Sequence, residues 1–316
     1  MDKNVRIISL LPGATEIVCG LGLSDRLVGR SHECDYPSQV ERLPVCSRPK
    51  YIEEGNSKKI NRSVQEILRD ALSIYKVDVE RIKALNPTHI LTQSQCEVCA
   101  VSTRELENAL KEVIRQEDIT VIDSNPESLD DIFAHIQQIA DATDTHQAGM
   151  NLVQDMKRKF ESVRNQTKDI QSKPMVAHIE WIEPLMVGGH WMPTLIEWAG
   201  GILKPAELDE DERWLSFDVI AEQNPDKIVI APCGFSIRQS LDDLVYLEQQ
   251  KGWMSIKAVE SDEVYICNGS TYFNRPGPRL TDSLEILAEI YHPQMFPRRH
   301  DQSAWIRNSY AHHEKE

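Results

Sequence analysis

The feature that most constrains this chain is a run of about forty residues, Ser128 to Ile170, with no proline and with Gly149 as its single glycine. Apolar residues recur there at helical spacing, and Ser128 stands three residues before Asp131, the spacing of a capping box. Globular helices average about 11–12 residues. The run therefore predicts one long helix, or two with a break near Asp144 to Gly149. On both sides of it, short apolar runs alternate with amphipathic segments.

Before the run, "VRIISL", "RLVGRSH", "THILTQ" and "ITVIDS" read as strands. "GATEIVCGLGL" after Pro12, the whole of "SVQEILRDALSIYKVDVERIKAL", and the residues from Thr103 onward read as helices. After the run, "PMVAHIEW", "DKIVIAPC" and "DEVYICNG" read as strands. "MPTLIEWAGG", "SLDDLVYLEQQKGW" and "GPRLTDSLEILAEIYHP" read as helices. Repeated βα units imply a largely parallel sheet with helices on its faces. The predicted class is α/β: two βα-repeat lobes with mostly parallel sheets, joined by a long helical spine. The boundaries read as a lobe over 1–126, a spine over 127–172, a second lobe over 173–296 and a polar, flexible tail over 297–316.

Charge narrows the partners. With 35 Lys and Arg against 50 Asp and Glu, the formal net charge is −15. Nucleic acids and anionic membranes need clustered positive charge, so neither is expected as a partner, and a neutral or cationic small molecule is. No run reaches the ~20 apolar residues of a membrane-spanning helix, so the chain is not expected to be membrane-embedded. The first residues, "MDKNVRIISLLPGATEIVCGLGL", lack a basic segment leading a long apolar stretch. Seven cysteines at irregular spacing do not form a disulfide framework. Both readings predict a cytoplasmic protein, or a periplasmic or extracellular one if it is exported by another route.

Open α/β sheets bind ligands beyond the carboxyl ends of their strands, and the unusual residues of this chain follow predicted strands. Pro12, Gly13, Ala14 and Thr15 follow the first; His32, Cys34 and Tyr36 the second; Gln95, Cys96 and Cys99 the third. In the second half the same position holds Trp181, His190, Trp191, Trp214, Cys233, Tyr272, Phe273, Arg275 and Arg279. The pair Cys96 and Cys99, in "TQSQCEVCAVS", admits three readings: part of a zinc site with Cys34, His32 or His190, a redox pair at a helix start, or thiols lining a cleft. The last is the preferred one. His32 and His190 are the histidines placed to ligate a metal such as cobalt, as Cys34 would as a thiolate. The alternative for each is a hydrogen-bonded loop residue. Trp181, Trp191 and Trp214 offer broad rigid faces to a large flat ligand. Trp198 reads as core, and His135 and His146 as exposed on the spine. Arg275 and Arg279 would bond amide or phosphate groups, or else pair with the acidic surface. Glu16 and Glu33 are the carboxylates placed for acid–base work, but no G-x-S-x-G, H-E-x-x-H or Walker A run is present and no catalytic residue is assigned.

Several stretches together carry a resemblance: "RIISLLPGATEIVCGLGLSDRLVGRSHECDYP", "YKVDVERIKALNPTHILTQSQCEVCAVS", "GGHWMPTLIEWAGG", "RWLSFDVIAEQNPDKIVIAPCGF" and "TYFNRPGPRL". With them the chain resembles the class III substrate-binding proteins of ABC importers, and most closely their cobalamin-binding branch. The resemblance implies two lobes around one rigid helix and capture of a corrinoid, such as cobalamin, in the cleft between them. It implies uptake or intracellular handling, with an ABC permease or a corrinoid-handling protein as partner, and no enzymatic activity. Two other readings stay open. One is a metal-binding protein or enzyme using Cys34, Cys96, Cys99 and His32 on the same scaffold. The other is a binder of haem or another metal chelate.

Overall fold

Among the described residues, strands form two six-stranded sheets. In a computed structural model, residues 5–50, 55–70, 75–93, 119–205 and 213–310 are described. The contacts group the chain into two units. The first is Met1–Gly55, Arg62–Met156 and Pro276–Pro278; the second is Asn56–Asn61, Lys157–Arg275 and Arg279–Glu316.

Up to residue 167 the elements run β1 (Ile7–Ser9), α1 (Pro12–Gly20), β2 (Leu27–Ser31), β3 (Val45–Pro49), α2 (Ser57–Asp70), β4 (Tyr75–Val77), α3 (Val79–Leu85), β5 (His89–Thr92), β6 (Thr120–Asp123), α4 (Leu129–Ala142) and α5 (His146–Thr167), with α2 and α5 divided between the two units. The sheet order is β4-β3-β2-β1-β5-β6, parallel throughout except for β4. Central parallel strands are covered on both faces, which is why Ile7, Ile8, Ile90 and Leu91 form continuous apolar runs and are fully buried. Each such side chain contributes about 1.5–3 kcal/mol on burial.

The stretch read as one helix from Ser63 onward is three elements. The triplet Tyr75–Lys76–Val77 pairs antiparallel with β3. Asp78 then restarts the helix by accepting from the Arg81 N–H at 3.1 Å. Aromatic and β-branched residues favour a strand once an edge is available, and that edge is β3, which the sequence reading left out. The proline-free run is two helices. The Ser128–Asp131 capping box starts α4, and Thr143 to Thr145 break the run, with Asp144 in the left-handed region at φ 55°. The boundary between units falls inside α5, between Met156 and Lys157. His135, expected to be exposed, is 5% exposed and turned inward from α4, whereas His146 stays exposed.

The second unit contains β7 (Met175–Trp181), β8 (Met186–Val187), α6 (Met192–Trp198), β9 (Ile202–Leu203), α7 (Phe217–Gln223), β10 (Lys227–Ile230), α8 (Ile237–Asp243), α9 (Val245–Glu248), α10 (Lys257–Glu260), β11 (Val264–Cys267), α11 (Leu280–Tyr291) and β12 (Trp305–Asn308). The order is β12-β11-β10-β7-β8, with β9 also on β7. One face packs Ile179, Ile228, Ile230, Val264 and Ile266 around Trp253. The two units repeat one device: "NPTHIL" and "NPDKIVI" each follow a helix ended by a left-handed asparagine, Asn86 at φ 45° and Asn224 at φ 44°. Asparagine tolerates that conformation and the proline after it blocks further helix, so the chain turns into a central strand.

The tail departs from expectation. Residues 305–308 add an antiparallel edge to β11, and Ala304 and Trp305 are buried. A buried glutamate on α11, Glu289, supplies the reason: it accepts from Trp305 Nε1 at 3.0 Å and from His300 Nδ1 at 2.8 Å.

Candidate ligand-binding site

The carboxyl ends of β1 and β2 place the first set of residues. Pro12 occupies the first turn of α1, where a missing N–H costs nothing. Thr15 Oγ1 donates to the Leu11 carbonyl at 2.9 Å and lies 3.0 Å from Cys34 Sγ, so the loops after β1 and β2 are joined. Cys34 is fully buried and donates to the Ser9 carbonyl at 3.8 Å. Burial pushes its thiol pKa up, so the expected thiolate ligand is instead a packed thiol. Burial likewise raises the thiols of Cys19 and Cys267, and that of Cys46 to about 11. His32 is half-buried with its ring 5.6 Å from that of Tyr75. Tyr36 is 48% exposed. Gly13 and Ala14 are buried, and a Cβ on Gly13 would stand 2.6 Å from the Pro276 carbonyl oxygen. Gln95, Cys96 and Cys99 lie outside the described residues.

In the second unit Trp181 ends β7, Cys233 follows β10, and Tyr272, Phe273, Arg275 and Arg279 follow β11, whereas His190 and Trp191 follow β8 and Trp214 bridges Met186 of β8. The Cys233 N–H donates to the Glu180 carbonyl at 3.0 Å, which ties the loop after β10 to the end of β7. Trp181 stacks edge-on with Phe235 at 5.2 Å and donates its Nε1–H to the Glu183 carbonyl at 3.2 Å. Trp191 is 8% exposed and donates to the Phe273 carbonyl at 3.1 Å; Phe273 is fully buried. These two form the wall behind the more accessible side chains. Trp198, read as core, is half-buried and packs on Phe160 at 5.7 Å.

The exposed set is His190 and Trp214, with Tyr272 half-buried. His190 sits at φ 51°, a backbone shape few side chains adopt, beside Trp191 at a ring distance of 5.7 Å. Arg279 lies 5.7 Å from the Tyr272 ring centre. Arg275 is buried, with Nη2 3.4 Å from Ser270 Oγ. The turn that carries Tyr272 and Phe273 is a single π-helical turn, Gly269–Phe273. Its first residue admits no side chain: a Cβ on Gly269 would stand 2.1 Å from the Pro232 carbonyl oxygen and 2.7 Å from that of Ala231. Both obstacles are backbone. We expect Gly269→Ala to cost about 1–3 kcal/mol in urea denaturation; a loss below a few tenths would show that the turn can shift.

Sequence reading missed two ionisable groups on β7. His178 and Glu180 alternate with Ala177, Ile179 and Trp181, so both face away from the Trp253 core. His178 is fully buried, 5.9 Å from the Phe273 ring, and burial pushes its pKa down to about 3. Glu180 is 6% exposed, and burial pushes its carboxyl up to about 7 against the pull of Arg213 and the Gly189 N–H. A Cβ on Gly189 would stand 2.2 Å from Arg213 Nη1. The signal was present: two ionisable residues at alternate positions of an otherwise apolar strand.

A two-sheet α/β chain with polar and aromatic side chains at the carboxyl edges of its strands has the architecture of a solute-binding protein. The periplasmic binding protein family matches residues 7–271, and the chain belongs to that family. It is 24% identical, over 92% of its length and 81% of the relative's, to an uncharacterized ABC transporter substrate-binding lipoprotein, YvrC, of Bacillus subtilis. It is also 24% identical, over 89% of its length and 86% of the relative's, to a vitamin B12-binding protein of Vibrio cholerae. A periplasmic haem-binding protein, RhuT, from Roseiflexus shares the fold with a TM-score of 0.66 at 20% identity, covering 90% of this chain and 97% of that one. Among the described residues no helix is long and apolar enough to cross a membrane. The expected cytoplasmic placement finds no support in this company: the family is periplasmic by name and one relative is a lipoprotein.

Proposed function

We propose that the chain binds a corrinoid and acts as the solute-binding component of an ABC importer, outside the cytoplasm. The reading is supported by the second unit's aromatic side chains, with Trp214 and His190 exposed, Trp181 and Tyr272 partly buried, and Trp191 hydrogen-bonded to the Phe273 carbonyl. Rigid aromatic faces bind a large flat ligand with little loss of side-chain freedom. The relative named for vitamin B12 supports the choice of ligand, and the relative named as a substrate-binding lipoprotein supports the partner and the placement.

Haem is the second reading, favoured by His190. Its side chain is exposed next to a tryptophan, with Nε2 3.5 Å from Arg213 Nη2, and a neutral imidazole is a side chain of the type that ligates transition metals.

One titration series decides. Purified chain is titrated by calorimetry and absorbance with cyanocobalamin, dicyanocobinamide and haemin. The corrinoid reading expects 1:1 binding of at least one corrinoid, weakened about tenfold by Trp214→Ala, the loss of ~1.4 kcal/mol. The haem reading expects a shifted Soret band that His190→Ala abolishes. Absence of saturable binding to all three ligands would refute both.

A further inference from the structure

Helix α11 carries three carboxylates on one face, Asp282, Glu285 and Glu289, at the i, i+3 and i+7 positions. The segment that returns along the helix after residue 297 sets His300 against them. Glu289 and His300 are fixed first. Glu289 Oε1 accepts from the backbone N–H groups of Arg299 and His300 at 3.0 and 3.3 Å, and from His300 Nδ1 at 2.8 Å. An imidazole whose Nδ1–H is held by a carboxylate presents the lone pair of Nε2, the arrangement that orients metal-binding histidines.

Two carboxylates lie beside that imidazole. One donor atom each from His300, Asp282 and Glu285 lies within 4.8 Å of the other two. All three residues are partly buried rather than splayed into solvent. Among the described residues the Asp282 and Glu285 carboxylates accept no hydrogen bond. Burial pushes the Asp282 carboxyl up, while Lys159, His300 and Arg279, the positive groups around it, pull it down. A compact cation between the three donors would satisfy both carboxylates at once. Closing such a triangle onto bonds of ~2.1 Å takes less than about 1 Å of movement per side chain.

We propose that His300, Asp282 and Glu285 form a binding site for a divalent transition-metal ion such as zinc, with Glu289 as the residue that positions the imidazole. One nitrogen and two carboxylate oxygens leave open positions for water, and the donor set suits zinc, cobalt(II) or nickel better than calcium or magnesium. The ring of Tyr272 meets that of His300 edge-on at 6.1 Å, so the ion would also stiffen the support of the candidate rim.

The test uses the full chain after dialysis against a chelator. Zinc is titrated by calorimetry, and cobalt(II) by visible absorption, with wild type, Asp282→Asn and Glu285→Gln; thermal midpoints check that the variants are folded. We expect one saturable zinc site, weakened at least tenfold in each variant, and a cobalt(II) spectrum without thiolate charge-transfer bands. No saturable binding by wild type, equal affinity in both folded variants, or thiolate bands reporting cysteine ligands would each overturn the site. The outcome does not depend on corrinoid or haem binding.

Discussion

Replacing Glu289 by alanine is expected to destabilise the second unit by about 3–5 kcal/mol, the cost of removing one partner of a buried charged network. Glu289 is 4% exposed and serves four donors: the N–H groups of Arg299 and His300, His300 Nδ1, and Trp305 Nε1. Burial alone would raise its carboxyl pKa, but the bonds from His300, Trp305 and Arg299 override it and hold the pKa below the usual glutamate range. Without the carboxylate the buried Trp305 Nε1–H and the partly buried donors of Arg299 and His300 lose their acceptor, and β12 loses the anchor beside its pairing with β11. Urea denaturation measures the loss, and hydrogen exchange should show residues 305–308 opening ahead of the sheet core. Glu289→Gln, which keeps an acceptor oxygen, should cost less. A cost below about 1 kcal/mol for the alanine variant, the worth of one ordinary hydrogen bond, would mean that β12 holds by its own pairing.

The second large effect lies on β7 and depends on pH. His178 titrates at about 3 in the folded chain against 6.5 unfolded. As pH falls below 6.5 the unfolded chain takes up the proton first, so stability drops from pH 6.5 towards 3. By linkage this loss is about 2 kcal/mol at pH 5. Glu180 runs the other way. Its carboxyl titrates at about 7 when folded against 4.5 unfolded. The stability it contributes is complete below pH 4.5 and is lost as pH rises through 7, roughly 3 kcal/mol by pH 8. His178→Leu should therefore flatten the acid side of the stability profile, and Glu180→Gln the alkaline side. The Leu variant should gain at neutral pH as well, because both ring nitrogens of His178 are buried without a hydrogen-bond partner. Denaturation midpoints at pH 5, 6.5 and 8 test this. An unchanged acid slope in His178→Leu would place the acid sensitivity on other groups.

Much of the architecture was legible. Parallel strands covered on both faces carry short continuous apolar runs, so "VRIISL", "THILTQ" and "DKIVIAPC" announce themselves, as does the capping box at Ser128. Strands at sheet edges were harder to read. β4 is three residues inside a run with helical periodicity, and β12 lies in a polar tail. An edge strand exists only where a neighbour offers unpaired backbone groups, and those of β3 and β11 are far away in sequence. The same limit applied to side chains. Cys34 and His135 are polar by type, yet one is enclosed by Ser9, Thr15 and Ser31 and the other is turned inward from α4.

Local physics, carried in short windows of residues, thus fixed the strand–helix alternation, the paired asparagine stops at Asn86 and Asn224, and the helical run with its break, and it marked the loops after strands that hold the candidate residues. The tertiary structure decided which of those residues are presented and which are buried behind them. It left His190 and Trp214 exposed, buried Trp191 and Phe273 in the second unit and, separately, Cys34 in the first, and turned His178, Glu180 and Glu289 into buried ionisable groups. The reason is that burial and titration depend on neighbours brought together across more than 50 residues, as Trp181 and Glu180 meet the loop after β10, whereas helix and strand preferences act within one or two turns of chain.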